Sequence, residues 1–552
     1  MTRHDRLAAA VLWSATFLIF AAGAPRLGFY YDDGPAMATL PRADVKGLSA
    51  AIWNYVPGRN LHVLWQYLFL KISSSLTVLH LVQSALDGLV AAVFYLLLRR
   101  LHLPAPAALG AAALFAFWPT HGETHFWLYA VPQNIVSTLW VLVFALTGDP
   151  ISFLAALFTY DQTVVVLLAI VALRALERRR LVDALYLIPL AFFAWMKLVL
   201  APGRGPALRS DALAMLAANL PATVSLTIGR QWFGHVSAML RKATPGDWLL
   251  AAVAAAGLAY VVLRLPCGPA PRRRVALALL AFVAAYLPIW LWHMSQRHHY
   301  LPSAALFLAV AAGLARLPVR VTAAALVAPV ALLAAVARGE SRYWEESFQQ
   351  KKQLLTGLIP QLRGQEILVL EGFPLYHGPA YFITPPDPAF GPRLLFSSST
   401  IVQGDISAVP APKGVFLRTS LHFYGAEVFR YFPTDRFVVV RNGSETPQAV
   451  PYEFLAPEPR PGLRREGADA LLSFPSPVPT QSGRYPAAVV SYHQPGGTFH
   501  PWYGPLLLAG PGPQTLRLRS FPPTDRVIID FYQAAAGQPP LRVGRLDLPA
   551  EP

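Results

Sequence analysis

The sequence predicts a polytopic α-helical membrane protein with a C-terminal extracytoplasmic β-rich α+β domain. Three observations support this fold class. Of 552 residues, 55% are hydrophobic and 14% are charged, and the mean hydropathy of +0.41 is higher than soluble domains usually show. Apolar stretches of roughly the length that crosses a bilayer, about 17 to 25 residues, recur up to residue 336. Beyond that point the composition changes, because 30 of the 51 prolines follow residue 336.

The apolar stretches, delimited by flanking charges, indicate about eleven membrane spans. They cover residues 7–24, 78–98, 106–118, 135–146, 151–160, 164–176, 181–200, 248–265, 275–292, 301–314 and 321–336. We expect the first span to remain as an anchor, because similar stretches follow it for three hundred residues. Residues 61–72 and 212–240 are apolar but carry interspersed polar side chains, which favours helices lying at the membrane surface.

Arginine clusters next to the spans set the predicted orientation. One alternation of the spans places the clusters at residues 3–6, 99–100, 178–180, 272–274 and 316–320 on the cytoplasmic side. The amino terminus is then cytoplasmic, and the loops that carry the acidic and histidine-rich motifs face outward. We expect an integral protein of a bacterial inner or plasma membrane.

The positive charge of the chain is explained by membrane lipids. The formal net charge is +16, but the arginines lie in clusters beside apolar segments, where anionic headgroups attract them. This distribution excludes a nucleic-acid partner. Cys267 is the single cysteine, so neither an intramolecular disulfide nor a multi-cysteine metal site can form.

The composition predicts two domains. Residues 1–336 form the multi-span membrane domain, and residues 337–552 form a soluble extracytoplasmic β-rich domain, with a potential division into two subdomains near residues 445–460. A helix over residues 341–358 leads into this second domain. Short β-rich runs at residues 367–370, 437–440, 487–492 and 527–532 alternate with Pro/Gly turns.

The predicted outer loops carry the chemically interesting side chains. Asp32 and Asp33 directly follow the first span, and ionised carboxylates at such a boundary usually serve a site. The motif WPTHGETH at residues 118–125 and the motif QRHHY at residues 296–300 add imidazoles, an acid and cations. The candidate catalytic residues are Asp32 and Asp33, and the candidate substrate-binding residues are Arg59, His121, Glu123, His125, Asp161, Arg297, His298 and Tyr300. Such a set suits acid/base chemistry on a phosphate-linked substrate.

The order of these motifs resembles a known family. Residues 29–36 with 59–61, then FAFWPTHGE at residues 115–123, then residues 297–302 are similar to the polytopic glycosyltransferases of the C superfamily. The closest likeness is to the protein O-mannosyltransferases and the transmembrane mannosyltransferases that carry tetratricopeptide repeats. The resemblance covers residues 1–336, and it depends on the order of several weak motifs.

The resemblance implies an inverting glycosyltransferase with a donor sugar on polyprenyl or dolichyl phosphate. By position, Asp32 matches the family's catalytic acid residue with Asp33 beside it, His121 and Glu123 match later-loop residues, and Arg297 matches a contact for carrier phosphate. The acceptor, whether protein, lipid or glycan, does not follow, because the chain departs from the family at Asn60 and Trp118 and carries no tetratricopeptide pattern.

Simpler interpretations remain open for several of these residues. His121 and His125 also suit a helix end or the headgroup layer, and Asp161 suits a solvated turn. Arg297 and Lys197 are equally explained by side chains that extend to lipid phosphate. The acids and histidines are ligand types for a divalent cation, but no spacing forms a metal signature, so no cofactor is assigned and a divalent cation stays open.

Two other classes of function compete with transfer. A lipid or polysaccharide transporter or flippase with an outer binding domain would also place charges along a membrane path. A non-catalytic scaffold would use outer aromatic residues to bind carbohydrate. No phosphate-cradling glycine loop and no serine nucleophile motif is present in the sequence, which argues against nucleotide hydrolysis and esterase chemistry.

Overall fold

The structure is a computed structural model of the chain. Its helical part describes residues 2–30, 40, 44–54, 58–178, 185–197, 212–265, 272–290 and 296–358. After residue 358 it describes the strands given below and the turn at residues 378–379. Asp32 and Asp33 lie outside the described residues.

Helices make up most of the described chain before residue 359. The first group is α1 Arg3–Ala21, α2 Val45–Asn54, α3 Asn60–Lys71, α4 Leu76–Arg100, α5 Ala105–Ala116, α6 Gly122–Phe126, α7 Ser137–Thr147, α8 Pro150–Leu157 and α9 Thr163–Arg178. The second group is α10 Leu187–Trp195, α11 Ala212–Ile228, α12 Arg230–Leu240, α13 Pro245–Leu263, α14 Arg272–Val283, α15 Leu287–Trp290, α16 Ala304–Leu314 and α17 Val319–Leu358. A π-helix, Val131–Val136, precedes α7, and short 3₁₀ turns occur at Ala24–Arg26, Pro119–His121, Ala284–Tyr286 and Gln296–His299.

Four helical segments of the described chain are long and apolar enough to cross a membrane. They are Arg3–Arg26, Leu76–Arg100, Pro245–Leu263 and Val319–Gln350. Each contains or nearly coincides with one of the spans expected from the sequence. The described part of the chain is therefore mostly helical, with four candidate membrane-spanning helices. Shorter apolar helices, such as Ala105–Ala116 and Ala304–Leu314, lie at other expected spans.

Helices α1 and α4 form an antiparallel pair. At the start of α1, Asp5 accepts hydrogen bonds from Arg99 at 2.7 Å and from Tyr95 at 3.1 Å. Farther along, the Trp13 indole donates to the carbonyl of Ala85 at 2.9 Å. The two backbones approach closely at Gly88, one turn after Ala85 on α4, where a Cβ atom would collide with Trp13. The amino-terminal end of α1 therefore lies beside the arginine-bearing end of α4.

Helix α17 differs from the expectation of a span followed by a separate helix. It runs without interruption for 40 residues, with Pro329 inside it. An ion network holds its middle. The buried Arg338 pairs with Asp247 at 3.1 Å and with Glu345 at 3.4 Å, and Arg342 contributes a further pair to Asp247 at 3.2 Å.

All strands of the described chain follow α17. They are β1 Ile367–Glu371, β2 Tyr376–His377, β3 Ala380–Tyr381, β4 Arg393–Ser397, β5 Leu417–Arg418, β6 Phe437–Arg441, β7 Gln448–Val450, β8 Gly462–Glu466, β9 Asp469–Phe474, β10 Tyr485–His493, β11 Phe499–Leu507, β12 Gln514–Leu518, β13 Arg526–Ala534 and β14 Leu541–Pro549.

These strands pair into four sheets, in the orders β5-β4-β1-β6-β7, β11-β10-β13-β14, β12-β9-β8 and β2-β3. The β1–β6 pair is parallel, with Ile367 opposite Phe437. The four β-rich runs of the sequence fall within β1, β6, β10 and β13. Because the loops between most strands lie outside the described residues, the β-rich domain as a folded unit stays a prediction.

The chain divides into two compact units. One comprises residues 1–348 with 378–380, and the other comprises residues 349–377 with 381–552. The core of the first unit includes the fully buried rings of Phe94, Phe115, Trp127 and Trp344. These rings surround the segment that follows α5, where the candidate site residues lie.

Candidate functional site

The segment between α5 and the π-helix, residues 118–127, is the centre of the candidate site. Pro119 starts a 3₁₀ turn and Gly122 starts the short helix α6, so the chain turns tightly and presents His121, Glu123 and His125. A Cβ atom at residue 122 would collide with the carboxyl group of Glu340, so a larger residue there would force that buried side chain to move. All of residues 119–126 are buried.

Glu123 joins this segment to the segment at residues 296–303. Its carboxylate accepts from the Arg297 guanidinium at 3.1 Å and from the Arg297 backbone N–H at 3.4 Å. The guanidinium also lies over the Trp127 ring, 4.8 Å from its centroid. Asn134, in the π-helix, donates to the Arg297 carbonyl at 2.8 Å. Two motifs separated by about 170 residues are thus in direct contact.

His121 is held as a neutral imidazole. Its Nε2 atom lies 2.9 Å from the Ser303 hydroxyl, and the Tyr300 ring packs edge-on at 4.9 Å. Burial, followed by the neighbouring imidazoles of His125 and His299, lowers its pKa well below the ordinary value. At neutral pH His121 therefore supplies a hydrogen-bonding ring and not a positive charge.

A second group gathers around Asp161. The Arg59 guanidinium donates to one carboxylate oxygen from Nη2 at 2.7 Å and from Nε at 2.9 Å. The Lys197 ammonium lies 2.9 Å from the other oxygen. Burial opposes the charged form of Asp161, but Arg59 and Lys197 outweigh it and hold the pKa of Asp161 below its ordinary value. This carboxylate is shared by two cations, so the three side chains together carry a net positive charge.

The residues next to Asp161 connect the two groups. Tyr160 lies under the Arg59 guanidinium at 4.7 Å, and its hydroxyl lies 3.0 Å from Nε2 of His298. Gln162 donates to the His298 carbonyl at 2.7 Å. Because His298 follows Arg297 in the chain, the Arg59 group and the Glu123 group border the same short segment.

Asp87 lies at the candidate site but is absent from the residues predicted from the sequence motifs. This aspartate is about 1% exposed in the interior of α4, and its two oxygens contact His125 at 3.0 Å and the Tyr300 hydroxyl at 2.9 Å. A signal was present in the sequence, because His80, Gln83, Ser84 and Asp87 recur at helical spacing within an apolar span. Polar residues on one face of a span are expected to face the protein interior.

Two further side chains were also missed. Lys197 joins the Asp161 group, although the sequence allowed it only a lipid contact. His235, on α12, lies 3.3 Å from Glu340 on α17. Burial disfavours the imidazolium of His235, but the Glu340 carboxylate and the Pro119 carbonyl outweigh that effect and raise its pKa. The Glu340 carboxyl group of this pair lies directly against Gly122.

The structure thus brings together all eight candidate residues that it describes: Arg59, His121, Glu123, His125, Asp161, Arg297, His298 and Tyr300. Within the described part of the chain, no group of three or more His, Cys, Asp or Glu side chains has the arrangement of a metal site. Asp32 and Asp33 belong to residues 31–39, which are not described. Their role as the catalytic base therefore stays a prediction, and a divalent cation stays open.

Neither protein-family models, nor the sequences of curated proteins, nor solved structures match this chain. The likeness to the C-superfamily glycosyltransferases therefore depends on the motif order in the sequence alone. The geometry described above is independent of that likeness.

Proposed function

We propose that this protein is an integral-membrane, inverting glycosyltransferase that moves a sugar from a polyprenyl-phosphate carrier to an extracytoplasmic acceptor. The single observation that carries the proposal is the convergence of Arg59, Lys197 and Arg297 beside one short segment, where two of these cations share one carboxylate. A cluster of three cationic side chains next to apolar helices suits a lipid-linked phosphate.

The phosphate would be held mainly by Arg59 and Lys197. Arg297 already has the Glu123 carboxylate as a close partner at 3.1 Å, so its charge is largely compensated. Arg59 and Lys197 instead share the Asp161 carboxylate. The side chains of Arg59 and Lys197 are 24% and 12% exposed, which leaves them partly accessible to a headgroup while burial strengthens their field.

The proposed reaction combines these cations with the base predicted from the sequence. Asp32, with Asp33 beside it, would take the proton of the acceptor hydroxyl. The acceptor oxygen then bonds to the anomeric carbon as the bond from that carbon to the phosphate oxygen breaks, and the electron pair leaves with the phosphate. Arg59 and Lys197 would stabilise the negative charge that develops on this leaving group. The sugar configuration inverts, and no covalent enzyme intermediate is needed.

The proposal includes a specific membrane arrangement. About eleven spans would place the amino terminus in the cytoplasm and the site on the outer side, and the β-rich region after residue 336 would be an extracytoplasmic domain. The five shorter apolar helices described between residues 105 and 314 would supply part of the spans beyond the four long ones. Tilting, or extension through residues that are not described, would bring these helices to the required length.

The experiment measures transfer of radiolabelled sugar from polyprenyl-phosphate donors by the purified protein in detergent. Asp32→Asn should lower the transfer rate by about a hundredfold or more, because general-base catalysis contributes that much. The matched control is Asp44→Asn in the same loop, since the Asp44 carboxylate accepts from the Gly47 N–H at 2.6 Å and asparagine can accept the same hydrogen bond. Full activity of the Asp32 variant, or equal losses in both variants, would contradict the proposed base.

One observation favours the transporter alternative, namely the buried carboxylate of Asp87 inside the candidate span α4. Carboxylates within spans also occur along translocation paths. Detergent separates the two functions, because a transporter has no sealed compartment to fill there. Release or transfer of sugar in detergent supports the enzyme, whereas carrier movement across proteoliposomes without any sugar release would favour the transporter.

A further inference from the structure

Asp87 occupies an unusual position for a carboxylate. It lies eleven residues after Leu76 in α4, about 16 Å along the helix axis at the usual rise per residue. The residue is about 1% exposed. A carboxylate so deep in a candidate membrane span is expensive unless its oxygens are hydrogen-bonded, and such residues usually have a functional reason.

Both oxygens of Asp87 are used, and each contacts a different segment of the candidate site. Oδ2 lies 3.0 Å from Nδ1 of His125, which follows Glu123 by two residues. Oδ1 accepts from the Tyr300 hydroxyl at 2.9 Å, and Tyr300 follows Arg297 by three residues. Asp87 thus contacts the two segments that carry the Glu123–Arg297 ion pair.

We propose that Asp87 is a positioning residue, whose single carboxylate fixes the segments at residues 118–127 and 296–303 relative to each other. The role rests on the proposed transferase function, because it concerns the arrangement of that site. An ionised carboxylate only accepts hydrogen bonds, so it selects the His125 tautomer with the proton on Nδ1 and orients the Tyr300 hydroxyl. Catalytic groups misplaced by about 1 Å can lose about a hundredfold in rate.

A second buried aspartate offers a matched control. Asp5 also contacts α4, where it accepts from Tyr95 at 3.1 Å and Arg99 at 2.7 Å, and it is 3% exposed. Its contacts lie near the C-terminal end of α4 and involve none of the site segments. Replacement of either aspartate by asparagine removes one buried carboxylate that is hydrogen-bonded to a tyrosine, but only Asp87→Asn should disturb the site.

The experiment compares Asp87→Asn, Asp5→Asn and the wild type in the detergent transfer assay and by hydrogen–deuterium exchange. Asp87→Asn should lower kcat per folded molecule by about tenfold or more, with a smaller change in the KM for the donor. It should also speed exchange in both segments, at residues 118–127 and 296–303. Asp5→Asn should lower thermal stability and leave kcat and the exchange of both segments unchanged.

Tyr300→Phe covers the case in which Asp87→Asn does not fold. It removes one hydroxyl and keeps the ring, so it should lower kcat and speed exchange mainly at residues 296–303. Unchanged kcat together with unchanged exchange in the foldable variant would overturn the positioning role. If the wild type transfers no sugar, the proposed function fails, and the exchange data alone then decide whether Asp87 holds the two segments together.

Discussion

Replacement of Asp161 by asparagine tests the charge balance of the Arg59–Asp161–Lys197 group. The substitution keeps the shape of the side chain but removes the carboxylate that two cations share, at 2.7 Å and 2.9 Å. Removing one partner of a buried ion pair costs about 3 to 5 kcal/mol. Because the Asp161 side chain is 20% exposed, we expect the lower end, about 3 kcal/mol.

The pH dependence of this loss has a definite sign. The pKa of Asp161 is held below 3.8 by its two cations, against the effect of burial. A carboxylate with a lowered pKa in the folded state stabilises the protein above its unfolded pKa, and that contribution disappears as the pH falls through the folded value. The difference between wild type and variant should therefore be constant from pH 8 to pH 5 and shrink only below about pH 4.

The assay is thermal unfolding in detergent, with and without inorganic phosphate. We expect the melting temperature of Asp161→Asn to fall by about 3 °C or more at pH 7. Phosphate should restore more of this loss in the variant than it adds to the wild type, since Arg59 and Lys197 then face each other without the carboxylate. Asp149→Asn is the control, because Asp149 caps α8 through Ser152 at 2.8 Å and asparagine caps equally well. An unchanged melting temperature, or a difference that already vanishes at pH 6, would refute the reasoning.

Two other predictions concern residues around the same segment. Burial lowers the pKa of His299 from 6.5 to about 4, so the folded protein loses stability as the pH falls from 6.5 towards 4, by up to about 1.4 kcal/mol per pH unit. His299→Gln should make the melting temperature depend less on pH between pH 7.5 and 5. An unchanged pH dependence would contradict the lowered pKa of His299. Gly122→Ala should destabilise the protein by about 1 to 3 kcal/mol, because the new methyl group forces the buried Glu340 carboxyl group to move. Gly313→Ala, whose methyl group would meet no atom within 4 Å, should change stability by less than about 1 kcal/mol, and equal melting temperatures for the two alanine variants would contradict the predicted collision.

Local sequence patterns predicted the four long apolar helices, whereas the expected total of about eleven spans stays a prediction. The stretches around Leu12, Leu79, Ala255 and Ala334 are apolar over the full length of a span, so helix formation follows from hydropathy and length alone. The surface-type helix expected at residues 61–72 corresponds to α3, Asn60–Lys71. The helix α17 was harder to predict, because nothing local separates a span from a helix that continues beyond it.

Motif composition also marked the segments of the candidate site, but it did not assign their partners. The sequence placed His121, Glu123 and Arg297 in loops on the same predicted side of the membrane. Such a prediction needs only residue types and the charges that flank each span. It assigned Asp87 and Lys197 no site role. Their contacts with Tyr300 and Asp161 join positions far apart in the chain and exist only once the helices have packed.

The sequence by itself determined that this protein is rich in apolar helices and that the eight described candidate site residues lie between its long apolar stretches. Only the tertiary structure decided that Glu123 compensates Arg297, that Asp161 is shared by Arg59 and Lys197, and that Asp87 links two segments. The physical reason is that hydropathy acts over one helix length, whereas the strength of an ion pair depends on distances of about 3 Å between groups that the chain order leaves free.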